Sequence, residues 1–312
     1  MRRDCRTWSP SSSCDVAGLS STNQPLVPSA MELVQLNQRQ FDKFRAYVYK
    51  MSGIRVNDNK LSLLSNRIRR RLKAGDFPDF DTYYRYLTSP KGRGELEHFL
   101  DSITTNETFF FRTQPHFDWL KGEFFNHLVA EERRGARPRS FRIWSAGCAT
   151  GAEPYTIAIC LHENRYRFRD WSLTVLGTDI SEEALREARE GVYRPRAVEA
   201  IEQPRRRRYF TPSDGDRWQV RPELKQMVTL EHHNLMTPMR QPPFDCVFIR
   251  NVLIYFDRDS KRKVIAHLID ALAPGGFLVV GPSEGIYDML APLERQQMFL
   301  YRKPALATED GP

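Results

Sequence analysis

A run of small residues, Ser145-Ala146-Gly147-Cys148-Ala149-Thr150-Gly151-Ala152, stands between a β-rich stretch and a helix-like one. Small residues let a ligand approach the backbone closely, and amides at a helix start favour polar or anionic groups. The Gly147 to Gly151 spacing is not GxGxxG and no P-loop lysine follows, so a ligand without phosphate fits better than a nucleotide phosphate. The next β-rich run, Leu173 to Thr178, leads into Asp179, an acid placed to accept hydrogen bonds from both hydroxyls of a ribose. Asp179 reads equally well as a residue favourable to the helix dipole, beside the cap Ser181. Loop and acid together indicate a nucleoside cofactor. Dehydrogenases share that pair, so it does not name the reaction.

Further along, Asp245-Cys246-Val247-Phe248-Ile249-Arg250-Asn251-Val252-Leu253-Ile254-Tyr255-Phe256-Asp257 puts Asn251 and Tyr255 just beyond a buried strand, at the edge where open parallel sheets hold ligands. Such groups need a sheet to position them, and the chain after about Phe141 has the pattern of one. The β-rich runs 141–145, 173–178, 227–230, 244–249 and 277–280 alternate with helix-like runs at 155–161, 181–189 and 261–272. That alternation predicts a doubly wound α/β domain. Ala273-Pro274-Gly275-Gly276, with a last β-rich segment near Met298 to Tyr301, looks like the late sheet of class I methyltransferases. Residues 192–222, with Pro195, Pro204, Pro212, Gly215 and the basic run Arg205 to Arg208, suit a small surface excursion.

The preceding region is different. Phe41, Phe44, Val48 and Met51 form one apolar stripe at helical spacing, and Leu61, Leu64, Ile68 and Leu72 form another. Further helices are predicted around Tyr83, Tyr84 and Leu87, and around Leu96, Phe99, Leu100 and Ile103, giving an all-helical domain over 31–105. A linker and cofactor-contacting segment over 106–140 would join it to the α/β domain over 141–303. A disordered extension is expected over 1–30 and a tail over 304–312. The composition, 40% hydrophobic and 28% charged, is that of a soluble globular protein, with no run approaching a membrane span. Five scattered cysteines without CxxC or zinc-finger spacing indicate a reducing compartment and no metal. The net charge of +8 suggests an acidic partner.

Three motifs in this order, Thr105-Asn106-Glu107-Thr108-Phe109-Phe110-Phe111-Arg112, Ser145 to Tyr155 and Arg250 to Asp257, resemble the bacterial chemotaxis receptor methyltransferases over about Met31 to Lys303. The resemblance implies a cytoplasmic, monomeric enzyme that transfers methyl from S-adenosylmethionine to glutamate side chains of chemoreceptors, with a class I methyltransferase sheet and a small β excursion. It implies cofactor contacts at Asn106, Thr108, Arg112, Glu153, Asp179, Asn234, Leu235, Asn251 and Val252. Arg112 and Tyr255 would face the reacting centre, and Phe109 to Phe111 would be core or pocket wall. A glutamate is already ionised at neutral pH, with an ordinary pKa of about 4.3, so no general base is required. None of the seven histidines sits in a nucleophile-base pattern.

On the helix of the second stripe, Arg70 lies opposite the apolar face and Arg67 and Lys73 flank it, while residues 31–105 carry 14 Lys plus Arg against 9 Asp plus Glu. The resemblance makes this basic face the docking surface for the acidic, helical methylation region of a receptor. Because Thr211 to Val220 is short, with one glycine, no dependence on a receptor tail pentapeptide is expected. The rivals are a nucleic-acid or small-molecule methyltransferase and a non-catalytic S-adenosylmethionine-binding signalling protein. Against the first, Arg250-Asn251-Val252-Leu253 replaces the Asn/Asp-Pro-Pro-Tyr of adenine amino-group enzymes, and Cys246 lies within the strand rather than beyond it, where a cytosine nucleophile would be needed.

Overall fold

The computed structural model describes residues 35–305. The extension expected over 1–30 and the end of the tail over 304–312 lie outside the described residues.

Four helices, α1 (Gln38–Ser52), α2 (Leu61–Ala74), α3 (Phe80–Leu87) and α4 (Arg93–Ile103), bury the predicted stripes in a single core containing Phe41, Phe44, Val48, Leu64, Ile68, Leu72, Tyr83, Leu87, Phe99 and Ile103. Asn37 and Gln40 form a reciprocal capping box at the start of α1, and Gly53 ends it at φ 73°, a conformation natural to glycine. Arg71 donates two 2.8 Å hydrogen bonds to Glu95, which also accepts from the Tyr83 hydroxyl, so α2, α3 and α4 are pinned together.

The segment expected as a linker is a nearly continuous helix: α5 (Gln114–Trp119), one π-type turn (Leu120–Phe124) and α6 (Phe125–Arg133). Phe117, Trp119, Leu120, Phe124, Phe125 and Leu128 are buried against the sheet. Pro115 and Gly122 look like breakers in the sequence. Pro115 falls in the first turn, where a missing N–H costs nothing, and Gly122 lies inside the π turn.

The α/β part contains β1 (Ser140–Ala146), α7 (Ala152–Glu163), β2 (Ser172–Asp179), α8 (Glu182–Glu190), β3 (Val192–Tyr193), α9 (Gln203–Tyr209), β4 (Phe210–Ser213), β5 (Arg217–Val220), α10 (Pro222–Lys225), β6 (Val228–His232), β7 (Phe244–Ile249), α11 (Arg258–Ala271), β8 (Leu272–Val280), β9 (Glu294–Arg295) and β10 (Leu300–Arg302). Seven strands form one sheet in the order β6-β2-β1-β7-β8-β10-β9. The first five run parallel and β10 lies antiparallel to β8, the doubly wound sheet of class I methyltransferases. Alternate residues face opposite layers: Ile143, Val175, Phe248 and Val279 pack on one side, Trp144, Leu176, Val247 and Leu278 on the other. The excursion forms a separate sheet, β3-β5-β4. The strand order reverses at β1, between β2 and β7, and that crevice is where such sheets bind ligands.

Candidate active site

A cleft opens at the carboxyl ends of β1, β2 and β7 and is roofed by residues 103–109. All of Asn106, Thr108, Arg112, Glu153, Asp179, Asn234, Leu235, Asn251, Val252 and Tyr255 line it. Residues from both domains and from sequence positions about 150 apart therefore meet in one place.

The small-residue loop is shaped by contacts on both sides. A Cβ on Gly147, at φ 76°, would lie 2.5 Å from a Val252 methyl, so only glycine allows the loop to lie against Val252. The amides of Gly147 and Cys148 both donate to the Thr178 carbonyl at 2.8 Å, and the Ala149 amide donates to Asp179 Oδ2 at 2.8 Å. These three loop amides are thus turned inward. What the loop offers the cleft is a close-approach rim of small residues.

Asp179 has both properties that its position allowed. Its Oδ1 accepts the Ser181 amide at 3.0 Å, and Ser181 caps α8 through the Ala184 amide. The carboxylate also lines the cleft, where each oxygen keeps a further lone pair for a hydroxyl donor. Burial pushes its carboxyl pKa upward, and three backbone amides oppose that shift. Asn106 donates to Ser181 Oγ at 3.2 Å, tying the roof to the same corner.

Glu153 accepts from Ser145 Oγ at 2.7 Å and pairs with Arg250 at 3.0 Å. Burial drives the Arg250 pKa down while Glu153 holds its charge, and the guanidinium also donates to the Arg112 carbonyl. Asn234 lines the cleft with its carboxamide already engaged on both ends: the nitrogen donates to the Met51 carbonyl at 2.7 Å and the oxygen accepts the Met236 amide at 3.0 Å. Its side chain therefore also joins the helical domain to the α/β part. Phe110 and Phe111 are buried in the core, whereas Phe109 is exposed and forms part of the wall.

Arg112 and Tyr255 stand at the mouth. The Arg112 guanidinium lies over the Phe109 ring, 5.5 Å from its centre. Tyr255 ends a one-turn helix, Leu253–Tyr255, with its side chain exposed. A second, more open cleft shares Thr105, Glu107, Phe109, Arg112, Asn251 and Tyr255 with the first and extends to Arg196 and Ile254. Cys246 sits fully buried within β7 with its thiol pKa pushed up by burial, which removes it as a nucleophile.

Residues 39–104 match the family model described as "CheR methyltransferase, all-alpha domain", and residues 106–298 match "CheR methyltransferase, SAM binding domain". The chain belongs to the CheR methyltransferase family. A chemotaxis protein methyltransferase of Borreliella burgdorferi is 34% identical over 260 residues, covering 81% of this chain and 90% of that protein. The corresponding protein of Escherichia coli K12 is 34% identical over 259 residues, covering 81% and 86%. That of Pseudomonas putida KT2440, Cher2, is 32% identical over 252 residues, covering 79% and 90%.

The cofactor is S-adenosylmethionine, and the cleft suits it chemically. It combines a carboxylate with spare acceptor capacity, Asp179, with an apolar wall of Ile54, Ile180, Leu235, Val252 and Phe256 for a flat heterocycle. Among the described residues no cluster of metal ligands occurs, and no helix is long and apolar enough to cross a membrane.

Two groups at the site escaped the sequence reading. Arg250 was part of a motif without an assigned role, and Glu284 lies in none of the three motifs, although Gly281-Pro282-Ser283-Glu284 follows directly on β8. A charged residue immediately beyond a buried strand was the available signal. The proposed docking residues also divide. Arg70 and Lys73 are exposed, but Arg67 is half-buried and donates to the Ile103 carbonyl and to Thr105 Oγ1, at the base of the roof. Burial and the neighbouring Arg70 lower its pKa.

Proposed function

We propose that this methyltransferase esterifies glutamate side chains of chemoreceptors. The observation that carries the reading is the pair of clefts meeting at Arg112, Asn251 and Tyr255, one suited to the cofactor and one open to a large acceptor. The related proteins named as chemotaxis protein methyltransferases support it.

S-adenosylmethionine supplies a methyl group on a sulfonium; the acceptor carboxylate oxygen forms the new C–O bond as the C–S bond breaks, its electron pair going to sulfur. Opposite charges vanish in that step, so the chain's task is to align the partners and exclude water rather than to move a proton. Asp179, Asn106 and Asn251 orient the nucleoside, with Thr108, Glu153, Asn234, Leu235 and Val252 completing the wall. Arg112 steers the acceptor carboxylate with its donor fork, its stacking on Phe109 keeping the ion pair loose enough to leave the oxygen nucleophilic. Tyr255 donates to that carboxylate or packs beside the methyl group.

Arg70 and Lys73, with Arg67 behind them, form the basic face for an acidic receptor helix. The excursion ends in a short turn at Asp214 to Asp216, and we read it as operating without a tail tether. Tight calorimetric binding of a receptor's terminal pentapeptide would contradict that reading. The decisive experiment incubates the enzyme with methyl-labelled S-adenosylmethionine and chemoreceptor membranes or nucleic acid. Label on the receptor that mild base releases as methanol is expected; base-stable label, or label on nucleic acid, rejects carboxyl methylation.

A further inference from the structure

We propose that Glu284 is a positioning residue, a buried anchor that sets the Asn251 to Tyr255 turn and through it the cofactor site. The proposal builds on the roles just given to Asn251 and Tyr255.

The turn has a conformational cost. Asn251 is held at φ 59°, in the left-handed region that a non-glycine residue visits only with local support. The following one-turn helix, Leu253–Tyr255, has no side-chain cap on its own strand of chain. Its first amides would otherwise be left without acceptors. Glu284 accepts from 33 and 31 residues downstream: Oε1 takes the Asn251 amide and Oε2 takes the Leu253 amide at 2.8 Å. One carboxylate thus spans the strained residue and the start of the helix that carries Tyr255.

The anchor is itself held. Glu284 is 1% exposed, and the Lys261 ammonium on α11 donates to its backbone carbonyl at 2.6 Å. Gly281 makes room for the carboxylate, since a Cβ there would lie 2.4 Å from Oε1, and its amide donates to the Ile249 carbonyl at the end of β7. A buried carboxylate that costs desolvation is an inefficient way to hold a surface turn. It is an effective way to hold one geometry, because both oxygens are occupied only when Asn251 keeps its left-handed conformation. Asn251 and Val252 are wall residues of the cofactor cleft, and Val252 presses on Gly147, so a shift in this turn reaches the cofactor loop directly.

The test compares Glu284→Gln with Leu290→Ala, a buried residue of the same apolar layer that lines neither cleft. Glutamine retains one acceptor but turns an N–H₂ toward the second amide. Glu284→Gln is expected to weaken calorimetric binding of S-adenosylmethionine about tenfold, roughly the value of one buried hydrogen bond to a charged group. Leu290→Ala should lower the thermal midpoint at least as much and leave that affinity unchanged. With receptor as acceptor, Glu284→Gln should lower kcat while the receptor KM stays constant. Wild-type affinity in folded Glu284→Gln overturns the proposal, as does an equal loss of affinity in Leu290→Ala. If Glu284→Gln does not fold, Lys261→Met loosens the same anchor from the outside; about threefold weaker binding supports the proposal and wild-type binding overturns it. A wild-type enzyme that binds S-adenosylmethionine but leaves receptor carboxylates unlabelled would defeat the glutamate reading alone, since the binding comparison needs no acceptor.

Discussion

The two clefts that meet at Arg112 and Tyr255 are built on opposite principles. At the inner end of the cofactor cleft the polar side chains are paired: Asp179 holds Ala149 and Ser181, Glu153 holds Arg250, and Asn106 holds Ser181. In the outer cleft the walls are exposed, with Phe109 at 40%, Ile254 at 43% and Tyr255 at 37%, and the Arg196–Glu107 pair there is solvated. A small cofactor of constant shape is served by a pre-paired pocket, whereas a macromolecular acceptor is served by adaptable side chains. Losses inside should therefore appear in cofactor binding, and losses at the mouth in turnover or acceptor binding.

The largest effect is expected from Asp179→Ala, which removes both the proposed ribose acceptor and the support for the Ala149 and Ser181 amides. S-adenosylmethionine affinity measured by calorimetry should fall about a hundredfold, on the order of two hydrogen bonds to a buried charge. A loss below about threefold would show that the inner cleft is less pre-paired than its geometry implies. Next, Arg112→Ala and Tyr255→Phe should each lower turnover by about ten- to a hundredfold, with cofactor affinity changed much less, because alignment at the reacting centre is the role proposed for them. Wild-type rates of labelled methyl transfer in either folded variant would remove that residue from the centre.

Charge reversal on α2 sharpens the contrast further. Arg70→Glu with Lys73→Glu should raise the receptor KM by about three- to tenfold, more at low salt, and leave cofactor affinity unchanged. Arg67→Glu should do more than dock poorly, since it breaks the contacts to Ile103 and Thr105 at the roof, and cofactor affinity should fall as well. Equal behaviour of all three would erase the distinction between docking face and roof support.

The smallest effect concerns the buried His116, stacked 4.3 Å from Phe299 and near Arg250, its pKa pushed down to about 3 by burial and by that guanidinium. Its native pKa is lower than in the unfolded chain, where about 6.5 is ordinary. The stability it lends is therefore complete above that unfolded value and is lost as pH falls toward 3, because only the unfolded chain takes up the proton. Thermal midpoints should drop between pH 7 and pH 5, and His116→Phe should flatten that drop by a few degrees, roughly the scale of 1 kcal/mol in a chain of this size. An identical slope in the variant would assign the drop to His127, His162 or His233, which are also held low by burial.

What the sequence determined by itself was the set of local periodicities and the chemistry of short contiguous motifs. Stripes such as Leu64, Ile68 and Leu72 required helices, the alternation after Phe141 required a parallel sheet, and Gly147 to Gly151 with Asp179 pointed to a nucleoside site, because each rests on short local patterns. Only the tertiary structure decided which atoms were left free once those elements packed. It turned the loop amides inward onto Thr178, gave Asn234 to the domain junction, drew Arg67 into the roof, and made one helix of the expected linker through a π turn. Above all it brought Glu284 under Asn251. The physical reason is common to these cases: a buried hydrogen bond pairs groups distant in sequence, and nothing in the local pattern records which partner burial will supply.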